Sequence, residues 1–252
     1  MTSTILFDTD GHVARLTLNK PERHNALGGD ELTAIQKHLE TIEADPQLRV
    51  LVVTGSGDKT FCAGAALNEL GAGKISGDFF QQTTDRLAAL RVPTLCALNG
   101  NVFGGGVELA LSCDFRLCVF GSRLRVPAAH IGLCYPLSGI NSFVERLGVN
   151  LAKRLLVAAE EFDADAMLAM GFLHHLVAPE VLPARTEEMA GRIASLAPLA
   201  VQAMKEILQQ AAASGIDMER AMDLSRRCAE SDDLQEGFLA QREKRAPLFK
   251  GE

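Results

Sequence analysis

Apolar positions recur with two different periods along this 252-residue chain. Ile5 to Phe7 and Val13 to Leu18 read as paired strands around an Asp10-Gly11 turn. Leu32, Ile35, Leu39 and Ile42 then fall on one face of a helix, with Asp30 placed to cap it and Pro46 beyond its end. Val50-Leu51-Val52-Val53-Thr54 and Leu95-Cys96-Ala97-Leu98 are short unbroken apolar runs, the pattern of strands buried on both faces. Between them, the polar, glycine-bearing stretch Gly71 to Gln82 predicts a mobile loop or short helix, and Thr84 to Leu90 a helix. Phe115 to Val119 and Leu124 to Val126 are further strands. From Ser138 onward the pattern is almost wholly helical, punctuated by Pro183 and Pro198, with helices over roughly 185–196, 199–213, 217–229 and 231–243. Strands and helices mix over the first ~150 residues and helices finish the chain, which predicts an α/β protein. No internal repeat is visible.

Composition narrows the function classes. The net charge of −7 argues against a basic nucleic-acid surface. No apolar stretch reaches the roughly 20 residues of a membrane span, and no basic segment followed by an apolar core marks a secretory signal. The expected compartment is the cytoplasm. Six cysteines (Cys62, Cys96, Cys113, Cys118, Cys134, Cys228) form no C-x-x-C pair and read as reduced, buried small hydrophobes. No His/Cys cluster has ligand spacing, so no metal is expected.

The candidate chemistry centres on Gly104-Gly105-Gly106, set between the strand ending at Leu98 and a helical run from Glu108 to Ser112. Glycines there leave backbone N–H groups bare, at the positive end of a helix dipole. Such a junction also serves a tight turn or a phosphate loop. The chain lacks G-x-x-x-x-G-K-[ST], and no G-x-G-x-x-G opens its first strand–helix unit. Glu108 puts a carboxylate close by, and donors for an oxyanion beside a proton-transfer group suit enolate chemistry. Phe61-Cys62-Ala63-Gly64-Ala65-Ala66-Leu67 repeats the theme after the strand at Val50, so that two turns are available to aim one N–H each at a single oxygen.

These segments, in this order, resemble the crotonase (enoyl-CoA hydratase/isomerase) superfamily. The likeness takes in Asn19-Lys20-Pro21-Glu22-Arg23-His24-Asn25-Ala26-Leu27 and the Phe61–Ala65 stretch. It continues through Asn99 to Ala110 and Cys113-Asp114-Phe115-Arg116, and ends at Glu243-Lys244-Arg245-Ala246-Pro247-Leu248-Phe249-Lys250. It implies a spiral of ββα units over residues 1–197, a C-terminal helical oligomerisation region over 198–252, and assembly as a homotrimer or a hexamer built as a dimer of trimers. It also implies an acyl-CoA thioester as substrate, with coenzyme A arriving as part of that substrate and no separate cofactor.

On this resemblance, the thioester oxygen sits between the amides of Ala65 and Gly105, and Glu108 matches the first of two catalytic glutamates. Arg23, Ala26 and Ala63 would meet coenzyme A, with Phe249 and Lys250 contributing from the C-terminus, often to a neighbouring subunit. Two departures matter. Ala128, in Pro127-Ala128-Ala129-His130-Ile131-Gly132, stands where the second glutamate belongs, a change expected to cripple hydration of a simple enoyl-CoA. Ala66 stands where many relatives carry Asp. The Tyr135-Pro136-Leu137-Ser138-Gly139 stretch is similar to acyl-CoA decarboxylases of the superfamily, which makes Tyr135 a candidate proton donor, although those enzymes carry His at the position of Ala65. His130 reads as structural more readily than catalytic. Three functions follow as expectations: a hydratase/isomerase-family enzyme, a decarboxylase of a malonyl-CoA-type substrate, or an acyl-CoA binder that has lost catalysis.

Overall fold

The computed structural model describes residues 3–213 and 215–252. It opens with the expected hairpin: β1 (Ile5–Asp10) and β2 (Val13–Leu18) are antiparallel, with Gly11 at φ +55° in the turn. In α1 (Gly29–Ala44) the four apolar residues of the helical stripe are buried. The cap is Gly28 rather than Asp30. The Gly28 N–H donates to the Glu31 carboxylate at 2.8 Å, and Asp30 lies in the first turn, where its charge complements the dipole.

Among the described residues the chain then runs three times through one course: long strand, short strand, turn, helix. The first pass is β3 (Val50–Gly55), β4 (Thr60–Cys62), α2 (Leu67–Gly71) and α3 (Gly77–Ala89); the second is β5 (Thr94–Leu98), β6 (Asn101–Phe103) and α4 (Gly105–Ser112). The third is β7 (Phe115–Val119), β8 (Arg123–Arg125), a 3-10 turn at Ala128–Ile131 and α5 (Leu137–Leu156). The long strands pair in parallel as β2-β3-β5-β7, and the short ones stack as β4-β6-β8 in a second sheet. Each pass therefore adds one strand to each sheet, which is the expected spiral.

Two short strands interrupt the almost wholly helical stretch expected beyond Ser138. β9 (Glu161–Asp163) pairs antiparallel with β8, and after α6 (Ala164–Ala169) β10 (His175–Val177) extends the larger sheet beside β7. Three residues are too few to display a period of two, and it is the neighbouring strands that make these segments extended. The chain ends with α7 (Leu182–Ala194), α8 (Pro198–Ala213), α9 (Met218–Ala229) and α10 (Asp232–Glu243).

The larger sheet is covered on both faces, which explains its unbroken apolar runs. Leu51 and Val53 face Leu32, Ile35, Leu87 and Val107 of α1, α3 and α4, whereas Val50 and Val52 face Leu182, Met189 and Ile193 of α7. Burying each such side chain contributes about 1.5–3 kcal/mol. Four cysteines (Cys62, Cys96, Cys113, Cys118) lie in the core as expected. Cys134 is instead exposed and Cys228 half-buried, because the loop before α5 and the outer face of α9 lie at the surface.

Candidate active site

The turns after β4 and β6 touch. Gly64, at φ +85°, packs its α-carbon so closely on the second turn that a Cβ there would collide with the Gly105 nitrogen and lie 3.0 Å from the Phe103 carbonyl. Leu27 forms an isolated parallel bridge with Ala65, donating its N–H to the Gly64 carbonyl at 2.8 Å and accepting from Ala66 N–H at 2.8 Å. That register leaves the Ala65 N–H pointing away from Leu27. Gly105 is the first residue of α4, so its N–H has no partner within the helix. Among the described residues neither amide donates to a protein acceptor. Gly105 and Gly106 are demanded by crowding: a Cβ on Gly105 would lie 2.5 Å from the Phe80 ring, and one on Gly106 2.9 Å from Cys62 Cβ.

Glu108 lies one turn into α4 and is 2% exposed. Thr84 of α3 donates its hydroxyl to Glu108 Oε1 at 2.9 Å, and the Tyr135 hydroxyl and the Gln81 amide also face the carboxyl. Burial raises the Glu108 pKa above the ordinary carboxylate value. The three donors oppose that rise, and the charge of nearby Asp85 adds to it. Burial, and then the Glu108 carboxylate, push the Tyr135 phenol upward. The Tyr135 ring stands edge-on to Phe143, with centroids 5.6 Å apart at 84°. Two unbonded amides thus share a junction with a buried acid that keeps its proton to higher pH than a solvated one.

A family model described as enoyl-CoA hydratase/isomerase matches residues 8–252. The chain belongs to the enoyl-CoA hydratase/isomerase family. It is 30% identical to the short-chain-enoyl-CoA hydratase of Clostridium acetobutylicum over 96% of each chain, and 32% identical to the crotonyl-CoA hydratase of Syntrophomonas wolfei over 97% of each. The crystal structure of an enoyl-CoA hydratase from Bacillus anthracis superposes with a TM-score of 0.91 at 29% identity, covering 99% of this chain and 100% of that one.

The other residues singled out from the sequence fall into two groups in this enoyl-CoA hydratase/isomerase-family fold. Arg23, Ala26 and Ala63 come together. Ala63 N–H donates to the His24 carbonyl at 2.9 Å and Ala26 N–H to the Arg23 carbonyl at 3.1 Å, with the Arg23 side chain exposed. Buried Asn25 staples this segment. It accepts from Lys20 N–H and donates to the carbonyls of Ser56 and Thr60, at 2.9–3.0 Å. Phe249 and Lys250 lie elsewhere in the chain: the Phe249 carbonyl accepts from Arg49 and the Lys250 N–H donates to Asp233. Ala128 is 7% exposed and belongs to the apolar core, and His130 is exposed beside Arg125, 2.8 Å away. A cavity of about 920 Å³ is lined by Ala63, His24, Lys59 and Phe103 but not by Glu108 or Tyr135. No group of three His, Cys, Asp or Glu is placed to hold a metal among the described residues, and no helix there is long and apolar enough to cross a membrane.

Gln81, Thr84 and Asp85 were not singled out from the sequence. For Gln81 and Thr84 the signal is polarity on a buried face that they share with Phe80 and Leu87 of α3; Asp85 is exposed and gives none.

Proposed function

We propose that this chain processes an acyl-CoA thioester through an enolate whose oxygen is held by the Ala65 and Gly105 N–H groups, with Glu108 carrying the proton. The observation behind this reading is the pair of unbonded amides on touching turns beside a buried, hydrogen-bonded carboxyl. In the addition direction, water attacks the β-carbon of a 2-enoyl thioester, the C=C electrons shift toward the carbonyl, and charge gathers on the thioester oxygen. Glu108 takes a proton from the water and returns one to the α-carbon, so that one water is added in total. Removing one preorganised donor of this kind costs typically 2.7–4 kcal/mol of barrier, about 10²–10³ in rate. The relatives' names favour hydration or its reverse. Arg23, Ala26 and Ala63 hold the coenzyme A portion in this reading, and Phe249 and Lys250 serve a neighbouring subunit in a trimer or hexamer.

A second reading rests on Ala128 and Tyr135. An apolar wall where a second acid would stand, with a phenol beside Glu108, also suits decarboxylation of a malonyl-type thioester, in which C–C cleavage releases CO₂ and the enolate then takes a proton from Tyr135 or Glu108. Crotonyl-CoA and methylmalonyl-CoA, assayed side by side for hydration and for CO₂ release, separate the two. Glu108→Gln is expected to lower kcat/KM about 10²–10⁴-fold on whichever thioester turns over. An unchanged value would remove Glu108 from the mechanism, and binding of both thioesters with no turnover would favour a non-catalytic binder.

A further inference from the structure

Ala65 lies inside a strap. Its neighbours on both sides are bonded to Leu27: Leu27 N–H donates to the Gly64 carbonyl and Ala66 N–H to the Leu27 carbonyl, each at 2.8 Å. α2 grows from this point, with the Ala66 carbonyl accepting from the N–H groups of Glu69 and Leu70 at 2.9 Å. At five residues α2 is too short to hold a direction of its own. A third tie to the same segment supplies that direction. The half-buried Glu69 side chain reaches back to α1, and its Oε2 accepts from Gly29 N–H at 3.0 Å. Gly29 is the first residue of the 16-residue α1, so its N–H has no partner within the helix. A carboxylate on such an N–H, at the positive end of a long helix, makes a charge-assisted bond. The residues around it make room. A Cβ on Gly28 would stand 2.7 Å from the Glu69 carboxyl carbon. Glu31 takes the Gly28 N–H at 2.8 Å and pairs with Lys20 at 2.9 Å, so the two carboxylates divide the helix end between them.

We propose that Glu69 is a positioning residue for the Ala65 amide: its carboxylate, seated on the start of α1, sets the angle at which α2 leaves the turn and with it the aim of the Ala65 N–H. On the two-amide reading above, on which this rests, Glu69 touches neither the substrate nor the reacting atoms and acts through the backbone. Without the carboxylate, α2 pivots about Ala66 and one of the two donors drifts off the thioester oxygen. The loss falls on the step in which charge gathers on that oxygen, and therefore on kcat rather than on thioester binding.

The test uses 2,4-hexadienoyl-CoA, a conjugated thioester whose absorption band moves to the red as hydrogen-bond donors polarise its carbonyl. It is bound to the wild-type protein, Glu69→Ala, Glu69→Gln and Gly28→Ala. The wild type is expected to shift the band. Glu69→Ala is expected to lose most of that shift while binding the thioester within about threefold of the wild type, and to lower kcat about tenfold on the thioester that turns over, a part of the roughly 10²–10³ that a whole donor is worth. Glu69→Gln, whose amide oxygen still accepts from Gly29 N–H, is expected to restore most of both. Gly28→Ala displaces the carboxylate with Glu69 still in place and is expected to behave like Glu69→Ala. A full red shift in Glu69→Ala, or a Glu69→Gln no better than Glu69→Ala, overturns the proposal and leaves the two-amide reading intact. Should Glu69→Ala not fold, an undiminished shift in Gly28→Ala overturns it instead. A wild type that binds the dienoyl thioester with no red shift, or does not bind it, sinks the two-amide reading and this inference together.

Discussion

A carboxyl sealed beneath a helix is a liability that grows with pH. Burial raises the Glu108 pKa above its unfolded value. Between the two values the folded state holds more protons than the unfolded one, so stability falls as pH rises through that window. Glu108→Gln keeps the shape and removes the titration. Urea unfolding should therefore show the variant gaining on the wild type from pH 4 to pH 8, and a difference that stays flat with pH would contradict the shift. Gly64 is constrained in a different way, by its left-handed φ and by the Gly105 nitrogen packed against it. Gly64→Ala should cost about 1–3 kcal/mol in urea melts. It should also lower kcat by more than that stability loss explains, because it pushes apart the two turns that carry the amides.

At the scale of elements, what was legible in the sequence is what local pattern encodes. β3 and β5 announced themselves as apolar runs, β1 and β2 by the turn between them, and α7 to α10 by period and proline. The three-residue strands β4, β6, β9 and β10 did not, since neighbours rather than composition make them extended. α3 starts at Gly77, earlier than the apolar spacing implied, because the Ser76 hydroxyl accepts from Phe79 N–H at 3.1 Å and caps it. In the site, Glu108 and the glycines were readable because backbone freedom is written in residue type. Gln81 and Asp85 were not, because a polar residue on a helix shows its direction only once the helix has packed.

The joint between spiral and C-terminal helices is also an element-scale matter. Lys205 of α8 reaches Asp114 at 2.7 Å and the Val92 carbonyl at 2.8 Å, with the two charged side chains 8% and 17% exposed. Removing one partner of a buried pair costs about 3–5 kcal/mol. Lys205→Ala should fall at the lower end, because Thr94 still donates twice to Asp114. Hydrogen exchange should then show α8 losing protection before β5, and uniform loss would mean that the pair does not anchor this helix.

The whole molecule leaves apolar side chains uncovered where the chain ends. Leu208 of α8 is 69% exposed and Phe238 of α10 62%. We propose that other chains cover these side chains, in the trimer or hexamer the resemblance implies. Light scattering should give three or six times the 27.1 kDa chain mass, and Leu208→Asp with Phe238→Asp should reduce it. A wild-type monomer at micromolar concentration would refute that assembly.

The spiral has a consequence for how such an enzyme changes its chemistry. The segments after β4, β6 and β8 hold equivalent places on successive coils, and the Gly104 N–H donates to the Arg125 carbonyl at 2.9 Å, joining the second to the third. The first two coils carry the bare amides and the third carries Ala128. An exchange at Ala128 is therefore expected to act on the third coil while the two amide-bearing turns stay in place, as one tumbler in a lock is recut without touching its neighbours. Diversification of reactions on this scaffold needs no new architecture, only a different tooth on the last ring.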